Sequence, residues 1–112
     1  MSRKDLQIRI APEGDTVTVF LVGEAHFDFD AAEKHIQAVM SHQPRSVVVD
    51  ASRLTFMSSV GMCFLINLRR AVKEAGGSMQ LQGLQPLVRK AMEHAHVIHL
   101  FDVPPDSGTA AT

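Results

Sequence analysis

Hydrophobic and polar residues alternate at the start of the chain in the manner of β-strands. Leu6, Ile8 and Ile10 are separated by single polar residues, and this period of two predicts a half-exposed strand. Residues 16–22 are rich in β-branched side chains and predict a second strand. The turn-forming residues 11–15 between the two strands predict a hairpin.

Helical periodicity predicts three helices further along the chain. Asp30 is the expected N-cap of the first, which ends before Pro44. The second helix begins at Ser58 or Ser59, and the third has Pro86 in its first turn. The predicted core-facing residues are Ala32, Ile36, Val39, Met40, Gly61, Leu65, Leu68, Val72, Leu87, Val88, Ala91, Met92 and Ala95.

Three further strands are predicted at 46–50, 79–81 and 100–103, so the element order is β-β-α-β-α-β-α-β. This alternation favours an α/β fold with a small mixed sheet, in which later strands pair in parallel through right-handed crossovers. Part of the sheet is expected to stay open on a face or an edge. Residues 1–103 form one predicted domain, and the small, polar residues 104–112 form a predicted disordered tail.

Composition narrows the possible functions. The chain has 112 residues, and 11 Lys and Arg against 12 Asp and Glu give a net charge of −1. That balance argues against binding nucleic acid or an anionic membrane surface. The longest strictly apolar stretch, 62–66, is far shorter than the roughly 20 residues of a membrane span. With no signal-peptide pattern and one cysteine, Cys63, the sequence predicts a cytoplasmic protein.

The segment 49–62 carries the most information about function. A buried strand leads through a loop to Ser58 and Ser59 at a helix start, and Gly61 follows within the first turn. One interpretation is helix capping by a serine oxygen. The other is regulation, because a phosphoryl group at a helix N-terminus meets unpaired N–H donors and a favourable dipole.

This pattern resembles the STAS domain of sulfate transporters and anti-sigma factor antagonists. The family motif reads Asp-Ser-(Ser/Thr/Ala)-Gly-(Leu/Met), after a strand that ends in (Val/Leu)-Asp-(Leu/Met)-Ser. The residues that carry the resemblance are Val49-Asp50-Ala51-Ser52 and Ser58-Ser59-Val60-Gly61-Met62, with further similarity at Leu21-Val22-Gly23-Glu24 and Leu81-Gln82-Gly83-Leu84. The similar region extends from about Leu6 to Val103.

The resemblance implies a small sheet with helices mainly on one side and a binding switch without catalytic activity. Stand-alone members of the family bind an anti-sigma factor that is also a serine kinase with a histidine-kinase-like ATPase fold. The bound kinase releases its sigma factor, so such a protein regulates bacterial transcription. The kinase phosphorylates the serine after the motif Asp, which is Ser59 here, and a phosphatase reverses the reaction.

Two positions depart from the family pattern. The motif Asp is replaced by Ser58, and the family's acidic residue after the second strand falls at His26. A kinase that orients its acceptor through those carboxylates finds neither, which leaves phosphorylation of Ser59 open. The family's final helix is also missing, so apolar surface is either exposed or covered by another chain, and a homodimer is one form of that cover.

Methionine and phenylalanine side chains cluster around the two serines. The partner-binding residues predicted on this basis are His26, Met57, Ser58, Ser59, Gly61, Met62 and Phe64. A Met-rich surface adapts readily to a partner. The alternative is a helix covered deeply on two sides, which would place some of these residues in the core.

Other chemistry receives less support. His94, His96 and His99 suggest a metal site, but side chains two residues apart on a helix point about 200° apart. Cys63 lies in an apolar run, where burial disfavours a nucleophilic thiolate. Dinucleotide and P-loop fingerprints are absent from the sequence, and we expect no cofactor and no metal.

The sequence leaves two alternative functions open. Some small STAS proteins are structural subunits on the cytoplasmic side of a lipid-transporting ABC complex or of a sensory assembly. STAS domains have also been proposed to bind nucleotides, although no phosphate loop in this sequence supports that function.

Overall fold

A computed structural model of the chain describes residues 7–25 and 29–101. Its elements are β1 (Gln7–Glu13), β2 (Thr16–Ala25), α1 (Phe29–Met40), β3 (Ser46–Met57), α2 (Ser59–Glu74), β4 (Ser78–Gln82), α3 (Pro86–His94) and a 3-10 turn at Ile98–Leu100. The four strands form one mixed sheet in the order β1-β2-β3-β4. The predicted α/β fold class is confirmed.

The strand pairing follows from the length of each connection. β1 and β2 are antiparallel and joined by a short turn at Gly14 and Asp15. β2 and β3, and then β3 and β4, pair in parallel because each connection contains a helix. The hairpin and the parallel pairing are both as predicted.

The core lies on one face of the sheet. Val17, Val19, Val47, Val49 and Leu81 are buried there, while the residues that alternate with them are half-buried or exposed. α2 packs against β3 and β4, α3 packs against β3, and α1 packs against α2. Among the described residues, no helix packs on the opposite face, as the sequence predicted for part of the sheet.

Helix faces agree with the periodicity in α1 and α2. Gly61, Leu65, Leu68 and Val72 are all buried along one row of α2. In α3, Val88 and Met92 are buried, but the prediction is wrong for Leu87, which is 76% exposed, and for Ala95, which is exposed at the C-cap. Leu87 adjoins the buried Val88 in the first turn of α3, but its side chain lies outside the helix face that Val88 and Met92 turn to the core.

β3 is the main departure from the predicted elements. Its strand extends from Ser46 to Met57, through the segment 51–57 that was expected to be a loop. The pairing with β2 continues along this extension and shifts register twice, between Phe20 and Val22 and between Gly23 and Glu24. Each shift inserts one extra residue into β3, and such bulges break the alternation by which sequence patterns identify a strand.

The ends of the chain differ from prediction in smaller ways. α1 begins at Phe29, so Asp30 lies inside the first turn rather than at the cap. Leu100 closes the 3-10 turn and Phe101 is buried in the core, so these residues do not form the predicted fifth strand. The rest of that segment and the predicted tail, 102–112, lie outside the described residues.

Candidate functional site

The candidate site lies where β3 passes into α2. The parallel pairing of β2 and β3 ends at the pair Ala25 and Met57. Met57 is buried, with 5% of its side chain exposed. Ser58 is the single residue between the strand and the helix, so the start of α2 is fixed directly by the end of a central strand.

Ser58 is the N-cap of α2. Its backbone is extended, with φ −82° and ψ 171°, and its Oγ accepts a hydrogen bond of 3.1 Å from the N–H of Gly61. Its carbonyl oxygen accepts a hydrogen bond of 3.0 Å from the N–H of Met62. Of the two candidate N-cap serines, Ser58 is therefore the cap. Its side chain accepts the hydrogen bond that defines this role.

Ser59 is the first residue of α2, and its side chain is exposed. The N–H groups of a helix's first turn have no acceptor within the helix, and the dipole there is positive. The first turn of α2 contains no acidic residue. Because Ser58 caps the helix without carrying a charge, a negatively charged group on Ser59 would meet no carboxylate in that turn.

The Met- and Phe-rich docking patch needs correction. Phe64 is 1% exposed and Met57 is 5% exposed, so both belong to the core and offer no surface to a partner. Gly61 is buried as well, while Met62 is half-buried and packs against the core. Phe64 is buried because α2 is covered on two sides, by the sheet and by α1.

Phe56 is exposed near the site and was not predicted. Its side chain is 46% exposed, three residues before Ser59. The neighbouring Met57 is buried, so Phe56 faces away from the core at the end of β3. The sequence prediction missed Phe56 because residues 51–57 were expected to form a loop. The two bulges offset each other by this point, so Phe56 occupies the exposed face that alternation from Val47 assigns to it.

His26, the predicted counterpart of a family carboxylate, lies outside the described residues. It follows Ala25, the last residue of β2. Of the predicted site residues that the structure describes, Ser58, Ser59 and Met62 lie at the start of α2 and are at least partly exposed.

The histidines near the end of α3 form no metal site in the described part of the chain, where no group of three or more His, Cys, Asp or Glu side chains gathers. His96 instead follows the end of the helix, with φ +59°. The N–H groups of His96 and Val97 donate to the carbonyl oxygens of Glu93 and Met92, which completes a Schellman motif.

Cys63 is half-buried on α2, one helical turn beyond Ser59. Across residues 7–25 and 29–101, no helix combines the length and apolar character needed to cross a bilayer.

Comparison with known families identifies the domain. The family model described as Mlab, STAS domain, matches residues 8–102. The chain belongs to the STAS domain family. No curated protein sequence matches it.

Solved structures of STAS proteins share the fold. An anti-sigma factor antagonist from Mycobacterium paratuberculosis is 21% identical, with a TM-score of 0.75 over 95% of this chain and 91% of the other. The anti-sigma factor antagonist SpoIIAA in its unphosphorylated form is 22% identical, with a TM-score of 0.68 over 95% and 92% of the two chains. The Bacillus protein SpoIIAA in its phosphorylated form is 21% identical, with a TM-score of 0.62 over 95% and 96%.

Proposed function

We propose that this STAS protein is an anti-sigma factor antagonist that acts as a binding switch, with Ser59 as its phosphoacceptor. The observation that carries the proposal is the exposed Ser59 side chain at the first position of α2, directly after the Ser58 cap. In this function the chain performs no catalysis. Its partner is an anti-sigma factor with serine kinase activity in the cytoplasm, and a phosphatase resets the switch.

The electrostatics of the helix start support phosphorylation at Ser59. A phosphoryl group adds about −2 charge and three acceptor oxygens beside the first-turn N–H groups of α2. The absence of an acidic residue from that turn lowers the repulsion the group would meet. The modification therefore leaves the helix folded and changes the charge of the surface that a partner contacts.

The partner class is supported by similarity and by the residues that are exposed around Ser59. Similar structures include anti-sigma factor antagonists, one of them in both unphosphorylated and phosphorylated forms. In this chain the docking surface is centred on Ser59 and takes in the half-buried Met62 and the exposed Phe56. Apolar side chains beside Ser59 would make favourable contacts with a partner. A phosphate on the Ser59 hydroxyl would add charge to the same surface and oppose those contacts.

The test is incubation of the purified chain with a candidate anti-sigma kinase and ATP, followed by intact mass and peptide mapping. We expect one phosphate-sized mass increase on the wild type that maps to Ser59. Ser59→Ala should abolish the increase, and Ser58→Ala should keep it, because the two serines share the helix start and differ in role.

Calorimetry with the same kinase separates binding from phosphorylation. Ser59→Asp should weaken binding, while Ser59→Ala should bind as the wild type does. Equal affinity of the two variants would refute the switch, and a phosphate that maps to Ser58 would refute the assignment of Ser59. Met62→Glu should weaken binding and keep the circular dichroism of the fold.

A second candidate is a STAS subunit of a lipid-transport ABC complex or of a sensory assembly, without phosphorylation. The substitution of Ser58 for the motif Asp favours it, because the cap is kept while the charge a kinase could recognise is lost. Co-purification with a permease, together with no phosphate transfer from any candidate kinase, would favour this function over the switch.

A further inference from the structure

The open face of the sheet carries a continuous row of polar and aromatic side chains. In the strand register, Arg9 of β1 pairs with Phe20 of β2, Phe20 pairs with Asp50 of β3, and Asp50 pairs with Gln82 of β4. The guanidinium carbon of Arg9 lies 4.9 Å from the centre of the Phe20 ring. The row crosses the whole sheet on the face opposite the helices.

The first bulge of β3 adds a second arginine to this face. Phe20 pairs with Asp50 and Val22 pairs with Arg53, so two residues of β3, 51–52, stand opposite one residue of β2. The first half of β3 buries its odd-numbered residues Val47, Val49 and Ala51. Without the inserted residue, Arg53 would continue this series and point into the core. The bulge instead places it beside Val22, and bulges that redirect a side chain recur next to binding sites.

Two side chains hold the bulge in place, one from β3 itself and one from the start of α3. Asp50 Oδ1 accepts hydrogen bonds from the Ser52 N–H at 2.9 Å and from the Ser52 Oγ at 2.6 Å. Gln85 Nε2, at the start of α3, donates to the Ser52 carbonyl oxygen at 2.7 Å. The backbone that presents Arg53 is therefore fixed before any ligand arrives, which lowers the entropy cost of binding.

Arg9, Phe20, Asp50, Ser52 and Arg53 line an open groove with a volume of about 690 Å³. Its charged lining residues are Arg9, Arg53 and Asp50, so two arginines and one aspartate border the groove. One oxygen of that carboxylate already accepts both hydrogen bonds from Ser52. Ile8, Phe20, Leu21 and Val22 also border the groove, and of these Phe20 and Val22 lie on the open face while Leu21 is buried in the core.

We propose that this groove is a binding site for a small organic acid, whose carboxylate is held by Arg9 and Arg53 and whose apolar part lies on Phe20 and Val22. A guanidinium pairs with a carboxylate through two parallel N–H bonds, and an aromatic ring provides a flat apolar contact. The volume falls in the range of ligand pockets. The site is independent of Ser59, which belongs to α2, and it does not rest on the proposed switch.

The test is an NMR titration of the full chain with benzoate, followed through backbone amides at constant ionic strength. We expect saturable shifts at Arg9, Phe20 and Arg53. Arg53→Gln should weaken binding by about tenfold. Arg53→Lys should weaken binding less, because lysine keeps the positive charge and loses only the paired N–H donors of the guanidinium. Arg70→Gln, which removes an exposed arginine from α2, is the matched control and should leave the affinity unchanged.

Benzyl alcohol and inorganic phosphate complete the titration. Benzyl alcohol lacks the carboxylate and phosphate lacks the ring, so each should bind more weakly than benzoate. Shifts that do not saturate, or equal affinity of the wild type and a folded Arg53→Gln variant, would overturn the proposal. Phosphate binding as tightly as benzoate, or binding of an acidic peptide in place of benzoate, would overturn it as well.

Discussion

The Nε2 of Gln85 donates a 2.7 Å hydrogen bond to the carbonyl oxygen of Ser52, which ties the start of α3 to the first bulge of β3. The connection between β4 and α3 passes close to this contact. At Gly83, with φ +73°, an added Cβ would lie 2.9 Å from the Cβ of Ser52 and 3.1 Å from its backbone nitrogen. Glycine is required here both by conformation and by space.

Gly83→Ala should therefore destabilise the protein by about 3 kcal/mol, through backbone strain and overpacking together. Gly14→Ala is the matched control, because Gly14 has φ +61° and nothing within 4 Å of an added Cβ. Strain alone predicts a loss of about 1 kcal/mol for that variant. Urea denaturation measures both, and equal losses would contradict the close contact with Ser52.

Removal of the Ser58 cap should cost stability without changing the exposed surface at Ser59. Ser58→Ala loses the hydrogen bond to the Gly61 N–H, and we expect the free energy of unfolding to fall by about 1 kcal/mol. Ser58→Asp restores the family residue and should be close to neutral, since both residue types cap helices well. Thermal or urea denaturation of the two variants checks this, and equal stability of Ser58→Ala and wild type would contradict the cap.

The two phenylalanines near the site should behave differently on truncation. Phe64 is 1% exposed, so Phe64→Ala leaves a cavity and should lower the free energy of unfolding by about 3–5 kcal/mol. Phe56 is 46% exposed, and Phe56→Ala should cost less than about 1 kcal/mol. The effects on partner binding should be the opposite of the effects on stability. Phe56→Ala should weaken the affinity for the partner, while a Phe64→Ala variant that still folds should bind as the wild type does. Similar stability losses for both variants would show that Phe56 is also a core residue.

Acidification should destabilise the fold through His35. Burial lowers the pKa of His35 below its ordinary value, because the charged imidazolium is less well solvated in the folded protein. Below a pH of about 6.5 the unfolded chain takes up this proton first. Stability contributed by the neutral side chain is therefore present above that pH and lost as the pH falls through the folded-state pKa.

The comparison variants are His35→Gln and His42→Gln, the latter an exposed histidine just beyond the same helix. Between pH 7.5 and 5.5, thermal unfolding of His35→Gln should show a smaller decrease in stability than the wild type. His42→Gln should follow the wild type. A decrease in His35→Gln as large as in the wild type would assign the pH dependence to other groups.

Local sequence signals predicted most of the elements because their causes are local. The β-branched run before Gly23, the apolar row from Gly61 to Val72 and Pro86 at the start of α3 each constrain the neighbouring backbone directly. The start of α2 was narrowed to Ser58 or Ser59 for the same reason. The preference of N-caps for residues such as serine restricts the candidates to these two. The extended backbone of Ser58 and its hydrogen bond to the first turn identify it as the N-cap.

The second half of β3 could not be predicted in this way. The segment 51–57 has no clean period because two extra residues are inserted opposite β2. Its strand conformation is stabilised by pairing with residues more than 25 positions earlier, and the Thr55 Oγ1 donates to the Gly23 carbonyl oxygen at 3.2 Å. Such long-range hydrogen bonds leave no trace in a local hydrophobic pattern.

The sequence by itself determined most of the α/β element order and the family pattern around Ser59, because these depend on local periodicity and short motifs. Only the tertiary structure decided which side chains near Ser59 reach the surface. Phe64 is in the core because α2 is covered by both α1 and the sheet, and Met57 is in the core because it ends β3 on the buried face. Arg53 is exposed because the first bulge in β3 changes which face the following residues occupy, and Phe56 is exposed because the second bulge restores the original alternation.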